Sequence, residues 1–197
     1  MIGMTGGVGS GKSSVLDCFR ERYGAFILEA DKVSKSLILS SGSAFEAVTK
    51  LLGRDILGPD GEIDKARMAA IIFRDPEKLS AVNAILHPAT FKEVEARIHG
   101  AEEKLIVYES AIPKEARFTE FCDKILYVYT PRRLRMERLA ASRGYSREKC
   151  LAIMKNQPTE ASYRRLADAV LDNSGPPEET ARRLKRILDK WGLREQT

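Results

Sequence analysis

The chain has 197 residues, of which 43% are hydrophobic and 31% are charged. This composition is typical of a folded domain and argues against a disordered chain. Lysine and arginine (33) exceed aspartate and glutamate (28), which gives a formal net charge of +5. The excess suits a ligand that carries several phosphates, but it is too small and scattered to predict nucleic-acid binding. No apolar run is long enough to predict a membrane span, and three dispersed cysteines predict reduced thiols in a cytoplasmic protein.

Five short apolar segments rich in β-forming residues are predicted strands. They span residues 1–5, 25–29, 105–109, 125–129 and 169–172. Each is followed by a polar or glycine-containing turn and then by a helical pattern. Strands that are apolar throughout and alternate with helices predict a parallel sheet covered on both faces, and therefore an α/β fold.

The predicted helices are distributed unevenly between these strands. One helix is expected over residues 12–23, whereas the segment 31–104 has room for four or five helices and shows no clear strand. Within that segment Asp75-Pro76 predicts a helix start, with a capping carboxylate before a proline at the first position. A second helical block covers 132–166, and the last helix carries an apolar stripe of Leu184, Ile187, Leu188 and Trp191 that should face the core.

A glycine-rich motif follows the first predicted strand. Gly6-Gly7-Val8-Gly9-Ser10-Gly11-Lys12-Ser13 matches G-x-x-x-x-G-K-[ST], the P-loop pattern. Its backbone N–H groups can surround phosphate oxygens, Lys12 can reach the β- and γ-phosphates, and the Ser13 hydroxyl can bind Mg²⁺. The motif and its strand–helix context predict a nucleotide site made by Gly7, Val8, Gly9, Ser10, Gly11, Lys12, Ser13 and Ser14.

Two carboxylates follow other predicted strands and have more than one interpretation. Asp31 follows the second strand, at the strand end where ligands bind in open α/β sheets. It can accept the proton of an attacking hydroxyl or help to hold Mg²⁺, or it can cap the next helix. Glu109 ends the third strand. Its carboxylate either binds a water molecule that is coordinated to the metal ion or is simply exposed to solvent. The guanine motif N-K-x-D is absent, which disfavours a GTPase.

The block 132–165 is rich in arginine. Arg132, Arg133, Arg135, Arg138, Arg143 and Arg147 are dense enough to form a lid that brings guanidinium groups to a transferring phosphoryl. Arginines are ordinarily found on solvent-exposed helix faces, and most of these six are expected to lie there. Only one or two of them are expected to contact ATP.

Several further segments give the chain a resemblance to the dephospho-CoA kinase family. The opening 4–14 looks like the family's T-G-G-[IV]-G-S-G-K-S-T, and Glu29-Ala30-Asp31 is similar to its D-A-D. Asp60 to Lys65, Ile72-Phe73 and Leu86-His87-Pro88 resemble the D-G-x-[IL]-[DN]-R, [IV]-F and L-x-H-P elements. Arg138, Gln157 and the stretch 167–175 resemble the lid arginine, the lid-end glutamine and the A-D-x-V-I-x-N-x-G ending.

The resemblance has departures. Glu29 replaces an aspartate, Lys65 replaces an arginine, and the family's D-x-P-L-L-F-E run is altered over 109–115. Ser142-Arg143 stands where Arg-Asp is common in the family, which leaves the role of Arg143 open. The roles of Glu29 and Glu109 are also open.

The resemblance implies a three-layer α/β/α P-loop kinase with a five-stranded parallel sheet, a helical substrate-binding insertion and a helical lid. It implies a single domain over 1–197, with a core of about 1–58, 104–131 and 166–197, an insertion of about 59–103 that covers dephospho-CoA, and a lid of about 132–165. Asp31, Lys12 and Arg138 would be catalytic, Asn173 would lie beside the nucleotide, and Asp31, His87 and Pro88 would contact the acceptor.

The implied reaction transfers the ATP γ-phosphoryl, with Mg²⁺, to the ribose 3′-hydroxyl of dephospho-CoA. His87 would be a substrate-side or helix-start group rather than a base. The expected partners are these small molecules, with neither nucleic acid nor membrane, in a monomer or weak homo-oligomer. A kinase acting on a nucleoside monophosphate or a shikimate-like alcohol, and a nucleotide-dependent switch without an acceptor, are the alternatives.

Overall fold

The computed structural model describes residues 1–196 and contains one five-stranded sheet. Its strands are β1 (Ile2–Thr5), β2 (Phe26–Glu29), β3 (Ile106–Glu109), β4 (Lys124–Tyr129) and β5 (Ala169–Asp172). They lie in the order β2-β3-β1-β4-β5. Strand β1 pairs in parallel with β3 and with β4, and β4 pairs in parallel with β5. All five predicted strands are confirmed to within one residue, and so is the predicted fold class.

The helices follow the predicted distribution. They are α1 (Lys12–Tyr23), α2 (Ala30–Leu37), α3 (Phe45–Leu52), α4 (Lys65–Ile72), α5 (Pro76–His99), α6 (Phe118–Phe121), α7 (Arg132–Arg143), α8 (Arg147–Lys155), α9 (Glu160–Leu166) and α10 (Pro177–Lys190). A 3₁₀ turn over Arg54–Ile56 precedes α4. The Asp75 carboxylate accepts hydrogen bonds from Glu77 N and Lys78 N, as the predicted start of α5 requires.

The described chain divides into two compact units. The first comprises Met1–Leu28 together with the chain from Ala101 onward, and the second comprises Glu29–Gly100. The boundaries predicted from the sequence, with an insertion of about 59–103 and a lid of about 132–165, stay predictions about how the chain divides by function.

Helices cover both faces of the sheet in the first unit. On one face, Ile2 and Met4 of β1 pack in one buried cluster with residues of α1 and α10, including Phe19 and Leu188. Burial of this apolar surface is the main stabilising contribution to such a core. The stripe predicted on the last helix is confirmed, because Leu184 and Leu188 are buried and Ile187 and Trp191 pack beside them.

The opposite face packs against α6 and α9. Tyr127 stacks on Tyr163 of α9 with ring centroids 4.9 Å apart, and the Tyr163 hydroxyl donates to Ala111 O at 2.7 Å. On β1, a Cβ at Gly3 would lie 2.7 Å from the ring of Phe118 in α6. A side chain at position 3 would therefore separate α6 from the sheet. The three-layer arrangement follows from the alternation of side chains along each strand.

The second unit has a separate apolar core built mainly from helices. Buried residues of α2, α3 and α4, together with Val82 of α5, form one cluster. Helix α5 spans 24 residues and contacts α2, α3 and α4. Outside the named strands, the described part of this unit has only the isolated bridge between Leu57 and Ile63. The expectation of four or five helices and no clear strand is therefore confirmed.

Candidate active site

The P-loop connects the carboxyl end of β1 to the first turn of α1. Gly9 and Gly11 have φ angles of 78° and 83°, a region that residues with a Cβ rarely adopt. Gly11 is the N-cap of α1, whose first turn contains no acidic residue. The positive end of the helix dipole is therefore not neutralised locally, and anion binding is favoured at this point.

The Lys12 amine is fixed by contacts with the P-loop backbone and with Glu109. Its Nζ donates to Gly6 O at 2.8 Å and lies 3.3 Å from Oε1 of Glu109. Glu109 is 8% exposed, so the interpretation of Glu109 as a solvated side chain at a strand end is wrong. An ion pair and a hydrogen bond on the same amine restrict the rotamers that the Lys12 side chain can adopt. Glu109 therefore orients the amine that the motif supplies.

Asn173 supports the opposite flank of the loop. Its Nδ2 donates to Ser10 O at 2.8 Å and approaches Gly11 O at 3.4 Å, and its Oδ1 accepts from the Thr180 hydroxyl at 2.8 Å. The hydroxyl of Thr130 also donates to Ser10 O, at 3.0 Å. The Asn173 side chain thus links α10 to the loop backbone. This contact also requires glycine at position 11, since a Cβ there would lie 2.2 Å from Asn173 Nδ2.

Arg138 lines a pocket beside Asn173. Its Nη2 donates to Asn173 O at 2.9 Å, and its Nη1 lies 3.4 Å from the Thr130 hydroxyl oxygen. The pocket has a volume of about 290 Å³ and is bounded by Gly11 and by residues of α1 and α10. It adjoins the first turn of α1, so a nucleotide held by the loop could extend into it.

Two residues of the predicted lid hold the tip of the P-loop. Arg135 Nε donates to Val8 O at 2.8 Å, and Val8 N donates to Gln157 Oε1 at 2.9 Å. Arg135 Nη2 also donates to Gln157 Oε1, at 3.2 Å. A Cβ at Gly7 would lie 2.2 Å from Arg135 Nη2. The Val8 peptide therefore has both polar groups bonded to side chains of this helical block.

Comparison with known proteins identifies the family. The dephospho-CoA kinase family model matches residues 1–179. The chain belongs to the dephospho-CoA kinase family. It is 36% identical over 194 residues to the dephospho-CoA kinase of Carboxydothermus hydrogenoformans, with 97% of this chain and 94% of that protein covered. It is 37% identical to the dephospho-CoA kinase of Aquifex aeolicus, with 96% of each chain covered. The crystal structure of TT1252 from Thermus thermophilus has a TM-score of 0.83 at 31% identity, with 96% of each chain covered.

Membership of the dephospho-CoA kinase family confirms several predictions from the sequence. The protein is an ATP-dependent kinase, with ATP as co-substrate, and the resemblance drawn from its motifs is correct. Among residues 1–196, no helix is both long and apolar enough to cross a membrane.

The predicted site residues fall in both units of this dephospho-CoA kinase family member. Gly7, Val8, Gly9, Ser10, Gly11, Lys12, Ser13, Ser14, Arg138 and Asn173 lie in the first unit, and Asp31, His87 and Pro88 lie in the second. Their assignments as catalytic or binding residues stay predictions.

The helix positions of Asp31 and His87 in the second unit exclude a helix-capping role for Asp31 and a helix-start role for His87. Asp31 is exposed in the first turn of α2, whose N-cap is Glu29, so Asp31 is not the helix cap. His87 is exposed at mid-helix in α5, before the internal Pro88. The helix-start interpretation of His87 is therefore wrong.

The sequence did not indicate the contacts made by Thr130, Arg135 and Thr180. Thr130 and Thr180 carry no motif signal. Arg135 was one of six arginines in a charged block, and nothing in the helical periodicity distinguished it from its neighbours. Gln157 matched a family position, but the resemblance did not predict that it binds the Val8 peptide.

Proposed function

We propose that the protein transfers the γ-phosphoryl group of ATP to the ribose 3′-hydroxyl of dephospho-CoA and releases CoA and ADP. The match of the family model over residues 1–179 is the observation that carries this proposal. The P-loop, with Lys12 held at its mouth by Gly6 O and Glu109, supports it independently, because phosphoryl transfer depends mainly on positioning and on charge stabilisation.

In the proposed reaction a bond forms between the acceptor oxygen and the γ-phosphorus. The bond from that phosphorus to the β,γ-bridging oxygen breaks, and ADP leaves with the electron pair. The P-loop amides and Lys12 hold the phosphate oxygens, with Arg138 beside the nucleotide. Asp31 accepts the proton of the 3′-hydroxyl. Asp31 comes two residues after the end of β2, and carboxyl ends of strands are where ligands bind in folds of this class.

The residues present fit a magnesium ion. Ser13 is exposed in the first turn of α1, and its hydroxyl makes no hydrogen bond within the described residues. No group of three or more His, Cys, Asp or Glu side chains in residues 1–196 forms a metal cage. That agrees with Mg²⁺, which usually keeps several waters and uses few protein ligands beside substrate phosphates. Ser13 would hold the ion, whose charge would offset that of the phosphates.

An ADP-release assay with purified protein tests the proposal. Dephospho-CoA should stimulate ADP release, whereas AMP, dCMP and shikimate should not. Formation of CoA should be checked by mass spectrometry as a gain of one phosphoryl group. Stimulation by one of the other acceptors, with none by dephospho-CoA, would replace the proposed acceptor while leaving the kinase class in place.

The role of Asp31 has its own test. Asp31→Asn should retain ATP affinity and lose at least about 100-fold in kcat, the lower range for removing a general base. Glu46→Gln is the matched control, because Glu46 is an exposed acid in the first turn of α3. Unchanged turnover of Asp31→Asn would remove Asp31 from the mechanism.

A further inference from the structure

A further pocket of the first unit lies between α9 and the connection from β3 to α6. It has a volume of about 400 Å³, which is within the usual range for ligand pockets. Two residues of the connection and four from the start and body of α9 supply most of its lining. They are Pro113 and Lys114 on one side, and Pro158, Ser162, Tyr163 and Leu166 on the other. We call this pocket the α9 slot.

Hydrogen bonds hold the two walls of the α9 slot together. Within the connection, Phe118 N donates to Pro113 O at 3.2 Å. The Tyr163 hydroxyl donates to Ala111 O at 2.7 Å and so joins the connection to α9. Because both walls are fixed in this way, the slot exists before a ligand binds, which lowers the conformational cost of binding.

Both walls begin at residues that contact the P-loop. Pro158 directly follows Gln157, whose Oε1 accepts from Val8 N at 2.9 Å. Pro113 is four positions after Glu109, whose carboxylate lies 3.3 Å from the amine of the P-loop lysine. Four residues extend over at most about 14 Å, so the α9 slot lies beside the loop that would hold ATP.

The lining of the α9 slot suits a neutral branched chain that carries amide groups. Pro113, Pro158 and Leu166 offer apolar surface, and so does the ring of Tyr163. Ser162 contributes a hydroxyl, a group that can donate to or accept from an amide. Mainly apolar walls with a few polar groups are typical of pockets that bind small molecules.

Two cations complete the lining. Lys114 and Arg165 are both exposed and both border the α9 slot. Positive charge at a pocket favours a ligand with a net negative charge over a neutral one. Dephospho-CoA has this combination, because its diphosphate is anionic and its pantetheine arm is neutral, with two amides and a pair of methyl groups on one carbon.

We propose that the α9 slot binds the pantetheine arm of dephospho-CoA and so distinguishes this acceptor from nucleotides without the arm. The proposal rests on the proposed function, because it gives a place to part of the acceptor named there. The arm is attached through the diphosphate to the 5′ carbon of the ribose, whereas the reacting hydroxyl is on the 3′ carbon. The arm therefore lies beside the P-loop, and not on it, when the 3′-hydroxyl faces the γ-phosphate. Its methyl groups contact the proline rings and Leu166, and Ser162 bonds to one of its amides.

Substitutions that fill the α9 slot test the proposal. Ser162→Trp places a large ring in the slot from α9, and Lys114→Trp does so from the opposite wall. Both positions are exposed, so neither substitution removes a buried side chain. Ala161→Trp is the matched control, because Ala161 is exposed on the same helix and is not part of the lining. A melting temperature within about 2 °C of wild type, or roughly 1 kcal/mol or less at this size, identifies the variants that fold correctly.

Isothermal titration calorimetry compares dephospho-CoA with ADP-ribose while AMP-PNP occupies the nucleotide site. ADP-ribose has the same adenosine and diphosphate but a sugar in place of the pantetheine arm. Wild-type protein should bind dephospho-CoA at least about 10-fold more tightly, because only the arm buries apolar groups in the slot. Both slot variants should lose about 10-fold or more in affinity for dephospho-CoA and keep wild-type affinity for ADP-ribose and AMP-PNP. Ala161→Trp should match wild type throughout.

Four results would overturn the proposal. The first is equal affinity of wild-type protein for dephospho-CoA and ADP-ribose. The second is wild-type binding of dephospho-CoA by either correctly folded slot variant. The third is an equally large loss in Ala161→Trp. The fourth is an equal loss for dephospho-CoA and ADP-ribose, because the substitution would then act on the adenosine and diphosphate that both ligands share.

Failure of the proposed function would give a different result. Wild-type protein that binds ATP but neither binds nor phosphorylates dephospho-CoA would refute the acceptor and the slot assignment together. Wild-type protein that phosphorylates dephospho-CoA, with a KM that Ser162→Trp leaves unchanged, would refute the slot assignment alone.

Discussion

Replacing Asn173 with alanine should destabilise the protein and weaken ATP binding together. The substitution removes the buried hydrogen bonds to Ser10 O and from the Thr180 hydroxyl, both 2.8 Å long. Ser10 O retains the Thr130 hydroxyl at 3.0 Å, and this hydroxyl shares its single proton with Tyr129 O at 2.9 Å. The Thr180 hydroxyl loses the acceptor that Asn173 provides and lies in a residue that is 7% exposed.

The expected magnitude follows from these contacts. The bond to Ser10 is worth about 1 kcal/mol net, and leaving the Thr180 hydroxyl unsatisfied costs about 1–3 kcal/mol. The free energy of unfolding should therefore fall by roughly 2–4 kcal/mol. For a chain of this size 1 kcal/mol corresponds to about 2–4 °C, so we expect a Tm lower by roughly 5–15 °C in differential scanning calorimetry.

A double-mutant cycle tests whether the Asn173–Thr180 contact causes the loss. Thr180→Val should be destabilising in the wild-type background, because it leaves Asn173 Oδ1 without this donor. In the Asn173→Ala background it should cost much less, which gives a coupling energy of about 1 kcal/mol or more. Additive effects, or a Tm of Asn173→Ala within about 2 °C of the wild type, would refute the argument from these hydrogen bonds.

Three further predictions concern other residues. Lys12→Ala should lose activity and bind ATP roughly 10- to 100-fold more weakly, because a charge-assisted contact to phosphate disappears; a calorimetric ATP affinity equal to wild type would contradict this role. Hydrogen bonds from the backbone N–H groups of Arg67 and Ala66 hold the pKa of Asp64 below its usual value. The ionised Asp64 carboxylate therefore stabilises the folded state above the usual pKa of aspartate, and this stabilisation is lost as the pH falls through the lowered pKa of the folded state. The Tm of wild type should therefore fall more steeply than that of Asp64→Asn between about pH 5 and pH 2, and parallel curves would exclude this linkage. Partial burial raises the pKa of Cys122 to about 12. Iodoacetamide at pH 8 should therefore alkylate this thiol more slowly in the native protein than after denaturation, as peptide mass spectrometry can show, and equal rates in the two states would contradict the raised pKa.

Local patterns in the sequence were enough to predict the elements and the nucleotide motif. The Asp75-Pro76 start of α5 depends on a capping carboxylate and on the fixed φ of proline, both properties of neighbouring residues. The apolar strands and the stripe on α10 reflect periods of two and 3.6 residues. The P-loop is recognisable because its glycines, lysine and serine act within eight consecutive positions. Such signals require no knowledge of distant contacts.

The pairings around the loop came from the tertiary structure. Asn173 reaches Ser10 across 163 positions in the sequence, and Gln157 reaches Val8 across 149. Glu109 lies beside Lys12 because β3 and β1 are neighbours in the sheet. By itself, the sequence determined that a phosphate-binding loop follows β1 in an α/β fold. The packing of β3, α10 and the lid segment decided which side chains contact that loop. Contacts between residues far apart in the chain produce no periodic pattern among neighbouring residues, so the sequence could not predict them.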